Sequence, residues 1–99
     1  MTAAGDVIIT FHTTHESLVS ERRLAEALPP VRLIPTPRSI SSECGFTLLC
    51  PNREAAEIAN ALRDNALQWE AIYGVSKDSD RSEYVKYENR PGARRRSMP

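Results

Sequence analysis

The stretch VRLIPTPRSISSECGFTLLC, from Val31 to Cys50, decides how this chain folds. It opens with Val31-Arg32-Leu33-Ile34, a short apolar run stopped by Pro35 and Pro37, and closes with a second run, Phe46-Thr47-Leu48-Leu49-Cys50. Both runs have the branched and apolar residues that suit a pleated, half-buried strand. The connection between them, Pro35 to Glu43, is rich in Pro and Ser and exceeds the about 2–5 residues of an ordinary hairpin loop. Two strands therefore follow one another with no helix between them, joined by a segment long enough to be functional or mobile.

The flanks supply the rest of the pattern. Upstream, Val7-Ile8-Ile9-Thr10-Phe11 reads as a buried strand, and Thr13 and Thr14 are N-cap candidates for a helix running to about Leu28, stopped by Pro29-Pro30. On a helical wheel Ser17, Leu18, Leu24, Ala25 and Leu28 share one face, with Glu21 in its middle. Downstream, Pro51-Asn52 breaks the third strand and caps a second helix, in which Ala55, Ile58, Ala59, Leu62 and Ala66 form an apolar stripe. Trp69 to Val75 alternates as a fourth strand. Strand, helix, strand, strand, helix, strand is the order of an α+β, ferredoxin-like split βαβ sandwich (βαββαβ), an antiparallel sheet with two helices on one face. From Ser76 onward apolar content collapses, apart from Tyr84-Val85-Lys86-Tyr87. The expectation is one domain over residues 1–76 and a polar, basic, mobile tail over 77–99.

Composition narrows the function classes. Ninety-nine residues make one domain with one modest core. The 13 basic and 13 acidic residues cancel, yet residues 76–99 carry a net charge of +3 and the first 75 a net of −3. A mildly acidic body does not suggest a nucleic-acid binder, and the Arg94-Arg95-Arg96 run reads as a solubilising terminus. No apolar stretch approaches the about 20 residues needed to span a membrane, and Met1 to Gly5 lacks the basic start of a signal peptide. The expected location is the cytoplasm, where thiols stay reduced.

The topology gathers chemistry at one end of the sheet. With the third strand inserted between the first and second, antiparallel to both, His12, Thr13 and Thr14 meet the Pro35–Arg38 segment and Cys44-Gly45 at one edge. The first helix begins there too, so its free N–H groups and positive dipole end face Cys44. A helix N-terminus and a nearby cation, here Arg38, are the usual devices that make a cysteine a thiolate nucleophile. Gly45 lets another backbone or a substrate come close and permits positive φ. Ser41-Ser42-Glu43 suggest a polar, accessible setting for Cys44, although a lone cysteine in a small domain is more often a buried apolar residue. Cys50 closes an apolar strand, and six residues of strand separate it from Cys44 by roughly 20 Å. That is too far for a disulfide, and Cys50 reads as structural.

His12 could reach Cys44 as a base. His12 and His15 have no metal-ligand spacing, so no metal site is expected, and no cofactor motif is present. Thr13 and Thr14 could hold an anion, but ordinary helix capping accounts for them. Glu21 is either at the margin of its helix face or paired with Arg32 or Arg38.

Phe11-His12-Thr13-Thr14 with Ser17-Leu18 and Glu21, followed by Ile34-Pro35-Thr36-Pro37-Arg38-Ser39-Ile40-Ser41 and Cys44-Gly45, resembles the small selenium/sulfur carrier-like family over about residues 7–75. The most specific part is the Pro-x-Pro-Arg segment followed by Ser-x-x-Cys-Gly. The resemblance implies a carrier that holds sulfur or selenium on Cys44 as a persulfide or selenosulfide. It would take the atom from a donor protein such as a cysteine desulfurase and pass it to an acceptor protein, needing an exposed thiol but no deep pocket. Arg38 and the helix start would then stabilise the anion. The rival reading is a non-catalytic ligand- or partner-binding module of the same fold, and a homodimer through the open sheet face is compatible with either. A redox sensor is disfavoured, because no resolving cysteine stands near Cys44.

Overall fold

Seven elements build the molecule, and the structure, a computed structural model, describes residues 5–78 and 81–87. In chain order they are β1 (Asp6–Thr10), α1 (Thr14–Ala27), β2 (Arg32–Pro35), β3 (Phe46–Cys50), α2 (Ala55–Asp64), β4 (Ala71–Asp78) and β5 (Arg81–Lys86). The strands form one sheet in the order β2-β3-β1-β4-β5, with every neighbouring pair antiparallel. β3 lies between β1 and β2, with Val7 opposite Cys50 and Leu33 opposite Leu48.

The period of two sorts the side chains. Val7, Ile9, Phe11, Cys44, Leu48, Cys50 and Ile72 join Leu24 of α1 and Ile58, Ala59 and Leu62 of α2 in one buried cluster. Both helices therefore cover the same face of the sheet. On the opposite face Ile8 and Thr10 are also buried. There the β2–β3 connection contributes Ile40, which is 6% exposed and lines a cleft of about 400 Å³ with Ser39, Tyr73 and Tyr84. No helix among the described residues is long and apolar enough to cross a membrane.

Several sequence expectations need correction. The sheet has five strands, not four, and β4 and β5 run past residue 76; residues 79–80 and 88–99 of the expected tail lie outside the described residues. β5 is held by backbone pairing to β4, from Tyr73 opposite Lys86 to Asp78 opposite Arg81, more than by burial: Val85 is 62% exposed. On α1 the buried face is Ser17, Ser20 and Leu24, while Leu18 is 47% exposed and Ala25 is exposed. The buried face is thus turned toward the two serines, which leaves Glu21 half-buried at its margin.

The limits of α2 also shift. Asn52 takes a left-handed turn (φ 57°), and Glu54 is the N-cap, without a side-chain bond. At the other end Ala66 adopts φ 56°, its N–H donates to Arg63 O, and Leu67 N–H donates to Leu62 O. Those two bonds form a Schellman turn, so Ala66 ends the helix instead of extending its stripe.

Candidate functional site

The site forms where β1 ends, α1 starts and the β2–β3 connection returns to the sheet. α1 is firmly capped. Thr13, in extended conformation, accepts from Glu16 N–H at 3.1 Å, and Glu16 Oε1 accepts from the backbone N–H of His12 at 3.1 Å. This reciprocal arrangement is close to a capping box, and it puts a carboxylate in the first turn, where the helix dipole favours one. The capping role expected for the threonines thus falls to Thr13, and Thr14 is the first helical residue.

The connection is a strap with both ends tied together. Thr36 N–H donates to Gly45 O at 3.0 Å, and Thr36 Oγ1 donates to Cys44 O at 3.0 Å. Its turn closes with Ile40 N–H donating to Pro37 O. Ser42 turns inward, with its hydroxyl 3.1 Å from Phe11 O and 2.9 Å from Glu70 Oε1, so the strap is fastened to the end of β1 and the approach to β4.

Cys44 follows Ser42 inward and is only 3% exposed, in the main apolar cluster. This overturns the expected accessible setting. Ser41 and Glu43 do face solvent, but the bend that leads into β3 turns Ser42 and Cys44 the other way. Three polar groups surround the sulfur. The backbone N–H of Phe46 donates to Sγ at 3.4 Å, Thr14 Oγ1 is 3.8 Å away, and Ser17 Oγ lies at 4.0 Å as acceptor for the thiol proton. Ser17 is fully buried, and its hydroxyl donates to Thr14 O at 2.6 Å. The start of α1 therefore abuts the sulfur.

Of the residues singled out from sequence, the structure brings Thr14 against Cys44 and places Thr13 one residue away as the cap. His12 is exposed at the same edge and bonds through its backbone; Arg38 is exposed in the strap's turn; neither is among the hydrogen-bond partners of Sγ. Gly45 is exposed without positive φ, and a Cβ there would meet nothing within 4 Å, so neither strain nor close packing within the chain requires glycine. Ser17, Thr36, Ser42 and Phe46 also belong to the site, with no role assigned to them by the sequence pattern. Ser17 had a signal, a polar residue on the inward helix face; the others show themselves only once the strap is folded.

Cys50 is a different group. It is fully buried, and desolvation pushes its thiol from 9.0 up to about 12, against a smaller opposing pull from Arg53. Both cysteines are free. Among the described residues no cluster of three or more His, Cys, Asp or Glu side chains could hold a metal ion.

A family model described as "Putative Se/S carrier protein-like" matches residues 6–74, which takes in β1 through the middle of β4 and the whole site. No curated protein and no solved structure matches the chain.

Proposed function

The chain belongs to this Se/S carrier-like family, and from that premise we propose that Cys44 carries a sulfur or selenium atom between proteins. The observation that supports this most is the surround of Cys44 Sγ: a backbone N–H and a hydroxyl at the first turn of α1 both meet one sulfur. Donors of this kind stabilise an anionic sulfur, whether thiolate or persulfide. Cys50 is governed mainly by desolvation, with a smaller pull from Arg53, and serves the core.

The chemistry is thiol–persulfide exchange. The Cys44 thiolate attacks the terminal sulfur of a donor persulfide, R–S–SH. A new S–S bond forms on Cys44 as the donor's S–S bond breaks, and the donor leaves as R–S⁻, which takes up a proton. Transfer to an acceptor repeats the exchange in the other direction. A selenium donor would react in the same way. The donor is a protein such as a cysteine desulfurase, and the setting is the reducing cytoplasm. The frame is a ferredoxin-like sandwich lengthened by a fifth strand. In this reading the Thr14 hydroxyl and Phe46 N–H take the anion-stabilising role that the sequence suggested for Arg38.

The burial of Cys44 favours a second reading, a partner-binding module in which Cys44 only fills space. Intact mass after incubation with a cysteine desulfurase and cysteine separates the two. The carrier gains one sulfur on wild type and none on Cys44→Ser. No gain on wild type, or the same gain on both, leaves the binding module.

A further inference from the structure

We propose that loading Cys44 opens the strap, so that the empty carrier withdraws its thiol and the loaded carrier presents its sulfur. The inference rests on the carrier reading and specifies how that site is regulated. A persulfide adds a second sulfur about 2.05 Å from the first. Around Cys44 Sγ, Phe46 N stands at 3.4 Å, Thr14 Oγ1 at 3.8 Å and Ser17 Oγ at 4.0 Å, and the residue as a whole is 3% exposed within the main apolar cluster. An added atom toward any of these groups falls well inside van der Waals contact, and interiors packed to crystal density do not yield that space. The clefts of about 320 Å³ at the start of α2 and about 400 Å³ on the open sheet face are not lined by Cys44 and offer no room for it.

The strap is the part able to give way. Between Ile40, held against the sheet, and Phe46, the first residue of β3, only Ser42 and Cys44 point inward; Ser41, Glu43 and Gly45 are exposed. Ser42 holds the segment down with a single hydroxyl proton for two acceptors, Phe11 O and Glu70 Oε1. One proton makes one full bond at a time. Gly45 gives no resistance, since nothing packs where its side chain would be. Displacement breaks the Ser42 contact and the Phe46 N–H···Sγ contact, and it loosens the ties from Thr36 to Cys44 O and Gly45 O. The opened segment places the loaded sulfur in solvent for an acceptor. Unloading restores the smaller thiol, which fits beneath the strap again.

Methyl methanethiosulfonate tests the switch without any sulfur-donating enzyme. The thiolate attacks its sulfenyl sulfur and expels methanesulfinate, leaving Cys44–S–S–CH₃, a mimic of the loaded state. Wild-type protein is labelled at neutral pH, the adduct is mapped to Cys44 by peptide mass, and amide hydrogen exchange is compared before and after. The expected result is exchange at Phe46 and Thr36 faster by tenfold or more, with Ile8 and Ile9 of β1 unchanged. Unchanged exchange at Phe46 and Thr36 in fully labelled protein overturns the proposal, as does equal acceleration in β1, which would mean general loosening. Failure of the reagent to label Cys44 in the native protein overturns it too, because the strap then does not open. A desulfurase that fails to load wild type, alongside the expected exchange change, refutes the carrier reading and leaves the strap's response standing.

Discussion

Cys44 and Cys50 lie six positions apart, both free and both buried, yet they occupy different physical worlds. Cys50 is locked in mid-sheet, paired opposite Val7, with burial as the dominant influence on its thiol. Cys44 sits where the same chain leaves the sheet, against polar groups from α1 and β3 and beneath a strap that one serine fastens. Burial alone therefore does not classify a cysteine. What covers it does: a sheet in one case, a loop segment tied by a few hydrogen bonds in the other.

The largest expected effect concerns Cys50 and alkaline pH. Its folded-state value, about 12, lies above the 9.0 of an ordinary thiol. Below pH about 9 it is protonated in folded and unfolded chains alike, so its full contribution to stability is present. Above that the unfolded chain ionises first and binds fewer protons, so stability falls as pH rises toward 12, by up to about 1.4 kcal/mol per pH unit. Urea midpoints measured against pH should fall less steeply for Cys50→Ala than for wild type. Parallel curves would remove the contrast from the Cys50 side.

Next comes the strap. Ser42→Ala deletes a hydrogen bond worth about 1 kcal/mol, which raises the open fraction and so the rate of Cys44 alkylation by roughly fivefold to tenfold. Cys50 labelling should not change. Equal acceleration at both cysteines would show that Ser42 supports the whole fold and not the strap in particular.

The sequence made the frame legible and left much of the site hidden. Pro29-Pro30, Pro35 and Pro51 punctuate the chain, and β3 falls on the expected residues, because apolar runs and prolines act locally. The meeting of Thr14 with Cys44 followed from inserting β3 beside β1, a consequence of topology. β5 shows in the sequence only as the short run Tyr84-Val85-Lys86-Tyr87, because half-exposed strands carry little apolar signal. The polar run Ser41-Ser42-Glu43 misled for a sharper reason: a serine that spends its hydroxyl on Phe11 O looks in sequence like one that faces water. Arg38 and Gly45 are suggestive as residue types, but their exposure follows from the strap's path.

Smaller effects sharpen the same comparison. Thr13→Ala removes the cap of α1 and should cost about 1 kcal/mol in thermal or urea unfolding, with Cys44 labelled faster than before and Cys50 unaffected. At the far end of the molecule, Ala66→Gly relieves a left-handed residue in the turn after α2. It should stabilise the fold by about 0.5–1 kcal/mol while leaving the labelling of both cysteines alone. A destabilised variant would mean that the turn tolerates alanine without strain.

The most direct test places both cysteines in one sample. Wild-type protein is loaded by a cysteine desulfurase, and its peptides are mapped by mass with the persulfides trapped. The expected result is the added sulfur on the peptide containing Cys44, with Cys50 bare. Sulfur on Cys50, or on neither cysteine under conditions that load a known carrier, would contradict the account.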